Sequence, residues 1–363
     1  MPCMRLVMTL RARDEADVVD AQIAFHLNAG VDQVIATDHR SKDGTTEILE
    51  SYARDGHVHL IRRDEESIGG DWVTHMARLA ATELGADWVI NADADEFWWP
   101  RGGNLKEVLT AVPPRYGIVR GLWRHFIPRP DDGGFFAERM TIRVSASCPI
   151  NRPGSPYRPD VKSAHRARAD AVVGRGNHDV VSRGLVPLRG WYPIEVLHFR
   201  LRSAEQSARK FGAAAVAWSE NPAGAPTPLA EAGQASNDRG TFDEFYGSLG
   251  VDEDSLARGL ADGSLVVDTR LRDVLRLLRL DSSAGVPSFR RPGAGELLRL
   301  PSPDVTDDAA YAVDVSALDE ANGVRLQRRV DELERRLAAL EGGSTGSRAR
   351  TKLRHMTAGL RRP

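Results

Sequence analysis

What most constrains this 363-residue chain is a rhythm: over residues 4–95, short apolar runs alternate with stretches whose apolar residues recur at helical spacing. Residues 4–10 read as a strand. Residues 15–29 follow with Ala16, Val19, Ile23 and Leu27 at helical spacing and stop at Gly30. Residues 31–37 are a second strand candidate. Asp43 is placed to cap a helix with Ile48, Leu49 and Tyr52 inside, and Gly56 closes it before a third strand over 57–61. Trp72, Met76, Leu79 and Ala80 mark a third helix, ended by Gly85 ahead of the run that begins at Trp88. This order predicts an α/β fold with a Rossmann-like, mainly parallel sheet and helices on both faces.

The fourth strand candidate, Trp88-Val89-Ile90-Asn91-Ala92, ends in Asp93, Asp95 and Glu96 and runs on into Phe97-Trp98-Trp99. In an open α/β sheet the carboxyl ends of the strands form the ligand crevice. Two aspartates one residue apart at that place suit a hard divalent cation, which takes oxygen ligands and bridges to diphosphate oxygens. A solvated turn after a buried strand yields the same spacing, so the pair needs support from its surroundings. The aromatic run reads more readily as core or a lid hinge than as a stacking platform for a ligand.

Three motifs in this order resemble the family 2 glycosyltransferases of the GT-A fold. They are Arg13-Asp14-Glu15-Ala16, Asp38-His39-Arg40-Ser41-Lys42-Asp43-Gly44-Thr45 and Asp93-Ala94-Asp95-Glu96-Phe97. The resemblance is firm over residues 4–100, looser to 215 and absent beyond. It implies a GT-A domain that takes a nucleoside-diphosphate sugar, UDP favoured, and transfers the sugar with inversion to a hydroxyl of a glycan or lipid-linked acceptor in envelope or exported polysaccharide synthesis.

By the same resemblance Asp38 accepts a hydrogen bond from the base, Arg13 and Glu15 bind the nucleotide, and Asp93 faces the ribose or the metal. Asp95 and His198 then coordinate Mn²⁺ or Mg²⁺, whose role is to stabilise charge growing on the leaving diphosphate. Asp179 is the candidate general base, with Glu195 and Glu138 as rivals, and Glu96 lies behind the metal or contacts the acceptor. Plainer roles compete: Asp38 as a turn residue, Glu15 as a first-turn acid, Asp43 as a helix cap, His198 as a satisfied core histidine. The acidic pair that many family 2 enzymes carry at a helix start is not evident between residues 150 and 200.

Lys162, His165 and Arg166, with Arg158 and Arg168, form a basic stretch that would contact phosphate or an acidic acceptor, or else an exposed basic loop. The run Gly176-Asn177-His178-Asp179 is similar to one in metallophosphoesterases, but the Asp-x-His and Gly-Asp-x-x-Asp such a two-metal site needs are missing. Where a nucleotidyltransferase would have a Gly-rich loop the chain has Arg11-Ala12-Arg13-Asp14.

Composition sets wider bounds. A hydrophobic content of 41% is enough for an ordinary core, and the net charge of −2 gives no reason to expect nucleic acid. With no long apolar run and no leader pattern, the expected location is the cytoplasm, peripheral at the inner face of the plasma membrane if the tail binds lipid. Cys3 and Cys148 offer neither a disulfide framework nor zinc spacing.

The expected organisation is a transferase domain over 1–215, a helical extension over 216–300, a linker over 301–323, a coiled-coil helix over 324–341 and a basic tail over 342–363. Residues 221–240, rich in Ala, Gly and Pro, read as a connection or lid, and Leu271, Val274, Leu275, Leu277 and Leu278 as packing residues. Leu326, Val330, Leu333, Leu337 and Leu340 recur at steps of four and three, a seam for a homo-oligomer or for a helix docked on its own chain. The tail carries Arg348, Arg350, Lys352, Arg354, Arg361 and Arg362 without an acid, which suits anionic lipid or a disordered end. The competing hypothesis is a catalytically silent GT-A-like scaffold that works through its coiled coil.

Overall fold

Period-two alternation along the first strands decides which helix covers which side of the sheet. A computed structural model describes residues 4–65, 71–145, 148, 157–220, 228–280, 288–292 and 297–342. Strands β1 (Leu6–Ala12), β2 (Gln33–His39), β3 (Val58–Arg63) and β4 (Trp88–Asp93) alternate with helices α1 (Val19–Asn28), α2 (Thr45–Arg54) and α3 (Trp72–Thr82). They pair in parallel in the order β3-β2-β1-β4. Leu6, Met8 and Leu10 enter the core that holds Ile23 and Phe25 of α1, whereas Val7 packs on the opposite side with Met76 and Ala80 of α3. The expected mainly parallel sheet with helices on both faces is thus the one observed.

The chain continues through β5 (Glu96–Pro100), α4 (Leu105–Thr110), β6 (Ile118–His125), α5 (Phe136–Arg139), β7 (Ile142–Val144) and β8 (Val161–Arg166). A short hairpin, β9 (Val172–Val173) and β10 (Val180–Val181), precedes β11 (Ile194–His198). Strands β8, β6, β11 and β5 extend the sheet to eight strands in the order β3-β2-β1-β4-β8-β6-β11-β5. Phe97, Trp98 and Trp99 are all buried in β5, with Trp99 stacked on Phe25 at 5.8 Å, so the aromatic run is core. Burying side chains of this size stabilises by roughly 1.5–3 kcal/mol each.

Beyond the sheet lie α6 (Ala204–Glu220), α7 (Pro228–Asp238), α8 (Phe242–Ser248), α9 (Glu253–Asp262), β12 (Leu265–Val267), α10 (Arg270–Leu278) and α11 (Val305–Gly342). Several boundaries differ from expectation. Helix α1 starts at Val19 because residues 16–18 form a turn closed by Val18 and Val19 amides on the Glu15 carbonyl. The division at 215 falls inside α6. The extension shares the main core, since Leu271, Leu275 and Leu278 of α10 pack in the cluster that holds Phe25, and β12 pairs with β7. Leu277 is not a packing residue: it lies on the other face of α10 and is 74% exposed.

Part of the expected 221–240 connection is α7, and most of the expected 301–323 linker belongs to α11. The reason is local: after Pro303 no Pro or Gly intervenes until Gly323, and the Asp304 carboxylate accepts the Asp307 amide at 2.8 Å. Val330 is buried, while the side chains of Leu326, Leu333, Leu337 and Leu340, and the tail from 343 onward, lie outside the described residues. Among the described residues no helix is long and apolar enough to cross a membrane.

Candidate functional site

Strand order reverses at β1, which has β2 on one side and β4 on the other, so the ligand crevice of such a sheet opens at their carboxyl ends. Ala12 pairs with Asp38 and Arg11 with Asp93 at that rim. The loops after β1 and β2 are laced together. Asp14 accepts the Lys42 amide at 2.7 Å, Thr45 Oγ1 accepts the Glu15 amide at 2.8 Å, and Asp43 accepts the Ala16 amide at 3.0 Å. Asp43 also accepts the Thr45 amide, but the residue at the helix cap is Gly44, whose φ of 102° few other side chains adopt. Asp38 accepts the Ser41 amide and the Thr46 hydroxyl, the turn role weighed in the sequence.

The acidic motif closes the crevice. Because β5 runs antiparallel to β11, Glu96 lies opposite His198, and β6 brings His125 to the other side of the same histidine. Asp95 immediately precedes β5 and its carbonyl accepts the Phe199 amide at 2.9 Å. Ligand atoms of Asp95, Glu96 and His198 all lie within 4.8 Å of one another, and all three residues are buried. Asp93 is not in that group: its carboxylate meets Lys162 Nζ at 2.7 Å and the Asn177 amide at 3.4 Å, and its side chain is 27% exposed.

Hydrogen bonding sets the tautomer of His198. His125 Nε2 lies 3.0 Å from the Arg158 carbonyl, which can only accept, so that nitrogen carries the proton and His125 Nδ1 accepts from His198 Nδ1 at 3.1 Å. His198 Nε2 is then left with its lone pair, 3.6 Å from an Asp95 oxygen. Burial holds both imidazoles below the ordinary histidine range, consistent with neutral rings. A lone pair facing carboxylate oxygens is a donor set for a cation. Two carboxylates suit Mg²⁺ or Mn²⁺, and the imidazole extends the range to borderline ions.

Three basic residues balance the acids. Lys162, on β8, has its ammonium 2.7 Å from both Asp93 and Glu96 and 4.8 Å above the Trp123 ring. Arg202 is fully buried and joins Glu15 to Asp17. Lys210, on α6, reaches Asp95 at 2.5 Å and Glu15 at 3.2 Å. Burial pushes the Asp95 carboxyl up, but the Lys210 ammonium, with Arg202 behind it, outweighs burial and holds the group well below the usual range. At Glu96 burial prevails over Lys162, helped by Asp93 and Asp95, and the carboxyl is pushed up to about 8.

Of the residues singled out in the sequence, Asp93, Asp95, Glu96 and His198 converge, and Glu15 joins them through Lys210. Arg13 lies at the rim, its Nε buried without a hydrogen-bond partner among the described residues. Asp179 does not converge: it is 59% exposed and faces Arg120 at 3.5 Å. Neither rival does better. Glu195 is buried among Arg101, Arg124 and Arg270, and Glu138 pairs with Arg276 at the surface. Glu96 is fully buried beside Asp95 and His198.

Lys162 corrects the reading of an exposed basic loop, being 1% exposed on a strand whose neighbours are the acids. Lys210, Arg202 and Trp123 were not anticipated, and no local pattern marks them. Asn177 was visible in the Gly-Asn-His-Asp run, but its part is to hold Asp93 from a left-handed backbone with φ of 61°.

Residues 15–127 match the sequence model of the family described as Glycosyl transferase family 2. The match is confined to that segment. That segment contains the Asp38 to Thr45 loop and the acidic motif, whereas Lys162, His198 and Lys210 lie beyond its end. No curated protein matches the chain. Solved structures similar to this chain include TarS 1–349 of S. aureus in complex with UDP, at 13% identity and a TM-score of 0.30 over 83% of this chain and 100% of that one. The same protein in complex with UDP-GlcNAc aligns at 14% identity and a TM-score of 0.27, over 45% of this chain and 46% of that one. A mycobacterial protein aligns at 17% identity and 0.28, over 60% and 74%. Scores of this size add nothing to the family match.

Proposed function

We propose that the protein is a metal-dependent glycosyltransferase that moves a sugar from a nucleoside-diphosphate sugar, with UDP as the nucleotide, to a hydroxyl of a glycan or lipid-linked acceptor in envelope or exported polysaccharide synthesis, with inversion. The observation that carries this reading is the arrangement of ligand atoms of Asp95, Glu96 and His198 within 4.8 Å of one another, beside a segment that matches family 2. Mn²⁺ or Mg²⁺ held by these residues would supply positive charge against the departing diphosphate.

The chain's own groups do the rest. Asp93, partly exposed and oriented by Lys162 and Asn177 at the rim of β4, would face the ribose or the metal. Asp38 offers its carboxylate to the base from the end of β2, and the orphaned Arg13 Nε gains a partner when a nucleotide fills the crevice.

Thermal unfolding in the presence of nucleoside diphosphates tests this, because a ligand bound by the folded state alone raises the melting temperature. UDP is expected to stabilise the wild type only together with Mn²⁺, and Asp95→Ala and His198→Ala are expected to abolish the effect. No shift with any nucleoside diphosphate, with or without metal, overturns the donor assignment.

A further inference from the structure

Lys210 differs from the other cations of the site. Lys162 is 1% exposed and clamped between Asp93 and Glu96, and Arg202 is 1% exposed and locked by Glu15 and Asp17, its nearest approach to Asp95 being 4.0 Å. The side chain of Lys210 is 38% exposed and its ammonium is 2.5 Å from Asp95 Oδ2. It therefore sits on a carboxylate of the three-residue group described above, and it can swing into solvent on a flexible stem without opening the core.

Lys210 is on Oδ2 and His198 faces Oδ1, so a divalent ion drawn to this carboxylate meets the ammonium's positive charge at close range, and the two compete for Oδ2 wherever the ion takes both oxygens. We propose that Lys210 is an internal counter-ion that occupies Asp95 when the donor site is empty, is displaced by the divalent cation, and then offers its ammonium to the donor's diphosphate. This inference rests on the metal-dependent reading given above. It makes cation and donor arrive as a coupled pair: the ion frees the lysine, and the freed lysine favours the anion that the ion also binds. The released ammonium needs no new anchor, since Glu15 stays within reach at 3.2 Å in its resting position.

Calorimetric titration of the full-length protein with Mn²⁺ alone tests the first half. Lys210→Met is expected to bind Mn²⁺ about tenfold tighter than the wild type, a difference of about 1.4 kcal/mol. Lys210→Gln should reproduce the gain, and Lys210→Arg, which keeps the charge, should not show it. Arg11→Met controls for general electrostatics, since Arg11 lies 3.9 Å from Asp93 and makes no ion pair with Asp95. Its effect is expected to stay within about twofold, as for a half-exposed and screened charge. With Mn²⁺ saturating, UDP should bind Lys210→Met about tenfold more weakly, the size expected for loss of a charge-assisted phosphate contact.

Equal Mn²⁺ affinity in the wild type and both neutral Lys210 variants overturns this inference and leaves the metal site standing. An equal gain in Arg11→Met overturns it as well, and unchanged UDP affinity overturns the second half. If neither the wild type nor any variant binds Mn²⁺, the inference falls together with the reading on which it rests.

Discussion

His198 Nδ1 stands 3.1 Å from His125 Nδ1, with a backbone carbonyl on the far side of His125 fixing the direction of the whole relay. The pair turns the remaining nitrogen of His198 toward Asp95 as an acceptor. The indole of Trp123, stacked on His198 with centroids 4.5 Å apart and planes within 6°, holds the ring in that plane. Replacing His125 by Phe removes the acceptor and frees the tautomer. Metal-binding histidines that lose the partner of their other nitrogen typically lose about 10- to 100-fold in affinity, and Mn²⁺ titration of His125→Phe should show a loss in that range.

Lys162, itself almost wholly buried, pairs with Asp93 and Glu96. Lys162→Met should lower the unfolding free energy by about 3–5 kcal/mol, the usual result of stranding a buried charge. The double variant Lys162→Met with Glu96→Gln should recover part of the loss, because Asp93 retains some access to solvent. Urea unfolding reads both, and a double variant no more stable than the single one would argue against the pair as described.

His26 is a pH-sensitive element of the core. Its Nδ1 lies 2.7 Å from the Gln22 carbonyl and its Nε2 accepts the Trp98 amide at 3.0 Å, so only the neutral ring fits. Burial lowers its pKa from 6.5 to about 4. A group depressed on folding contributes stability above its unfolded value, and that stability is lost as pH falls from 6.5 toward 4. The loss attributable to it is at most about 3 kcal/mol. His26→Gln should be less stable near neutrality yet lose less stability over that interval, and identical pH dependence in urea unfolding would refute the assignment.

The N-terminal half of α11 is bound to the sheet. Tyr311 donates to the Tyr192 carbonyl at 2.6 Å, Leu318 is buried beside Leu122, and Asp314 pairs with the buried Arg124. A truncation at residue 315 would therefore cut into the core. Asp314→Ala should cost about 1.5–3 kcal/mol, because Arg124 loses one charge-assisted hydrogen bond while keeping Glu195. A chain ending at 323 should keep the wild-type melting temperature within a few degrees, whereas one ending at 304 should fall well below it, as differential scanning calorimetry would show.

Local patterns were enough for the alternating half of the molecule and for the acidic motif. Leu6, Met8 and Leu10 against Val7, the helical spacing of Trp72, Met76, Leu79 and Ala80, and the carboxylates at the end of β4 each express a periodicity or a strand end, and these are properties of neighbours in the chain. Long-range strand pairing decided the remainder. His198 meets Glu96 because β11 runs antiparallel to β5, Lys162 reaches both acids because β8 enters beside β4, and Lys210 arrives from a helix after the last strand of the sheet. Asp179, chosen for its distance along the chain, points away because β9 and β10 form a hairpin that spends its inward position on Asn177. Ion pairs carry no periodic signature, since a lysine placed by pairing and a lysine exposed in a loop look alike in sequence. The residue types of the candidate site were written in the chain, and which of them share a space was fixed only when the sheet was assembled.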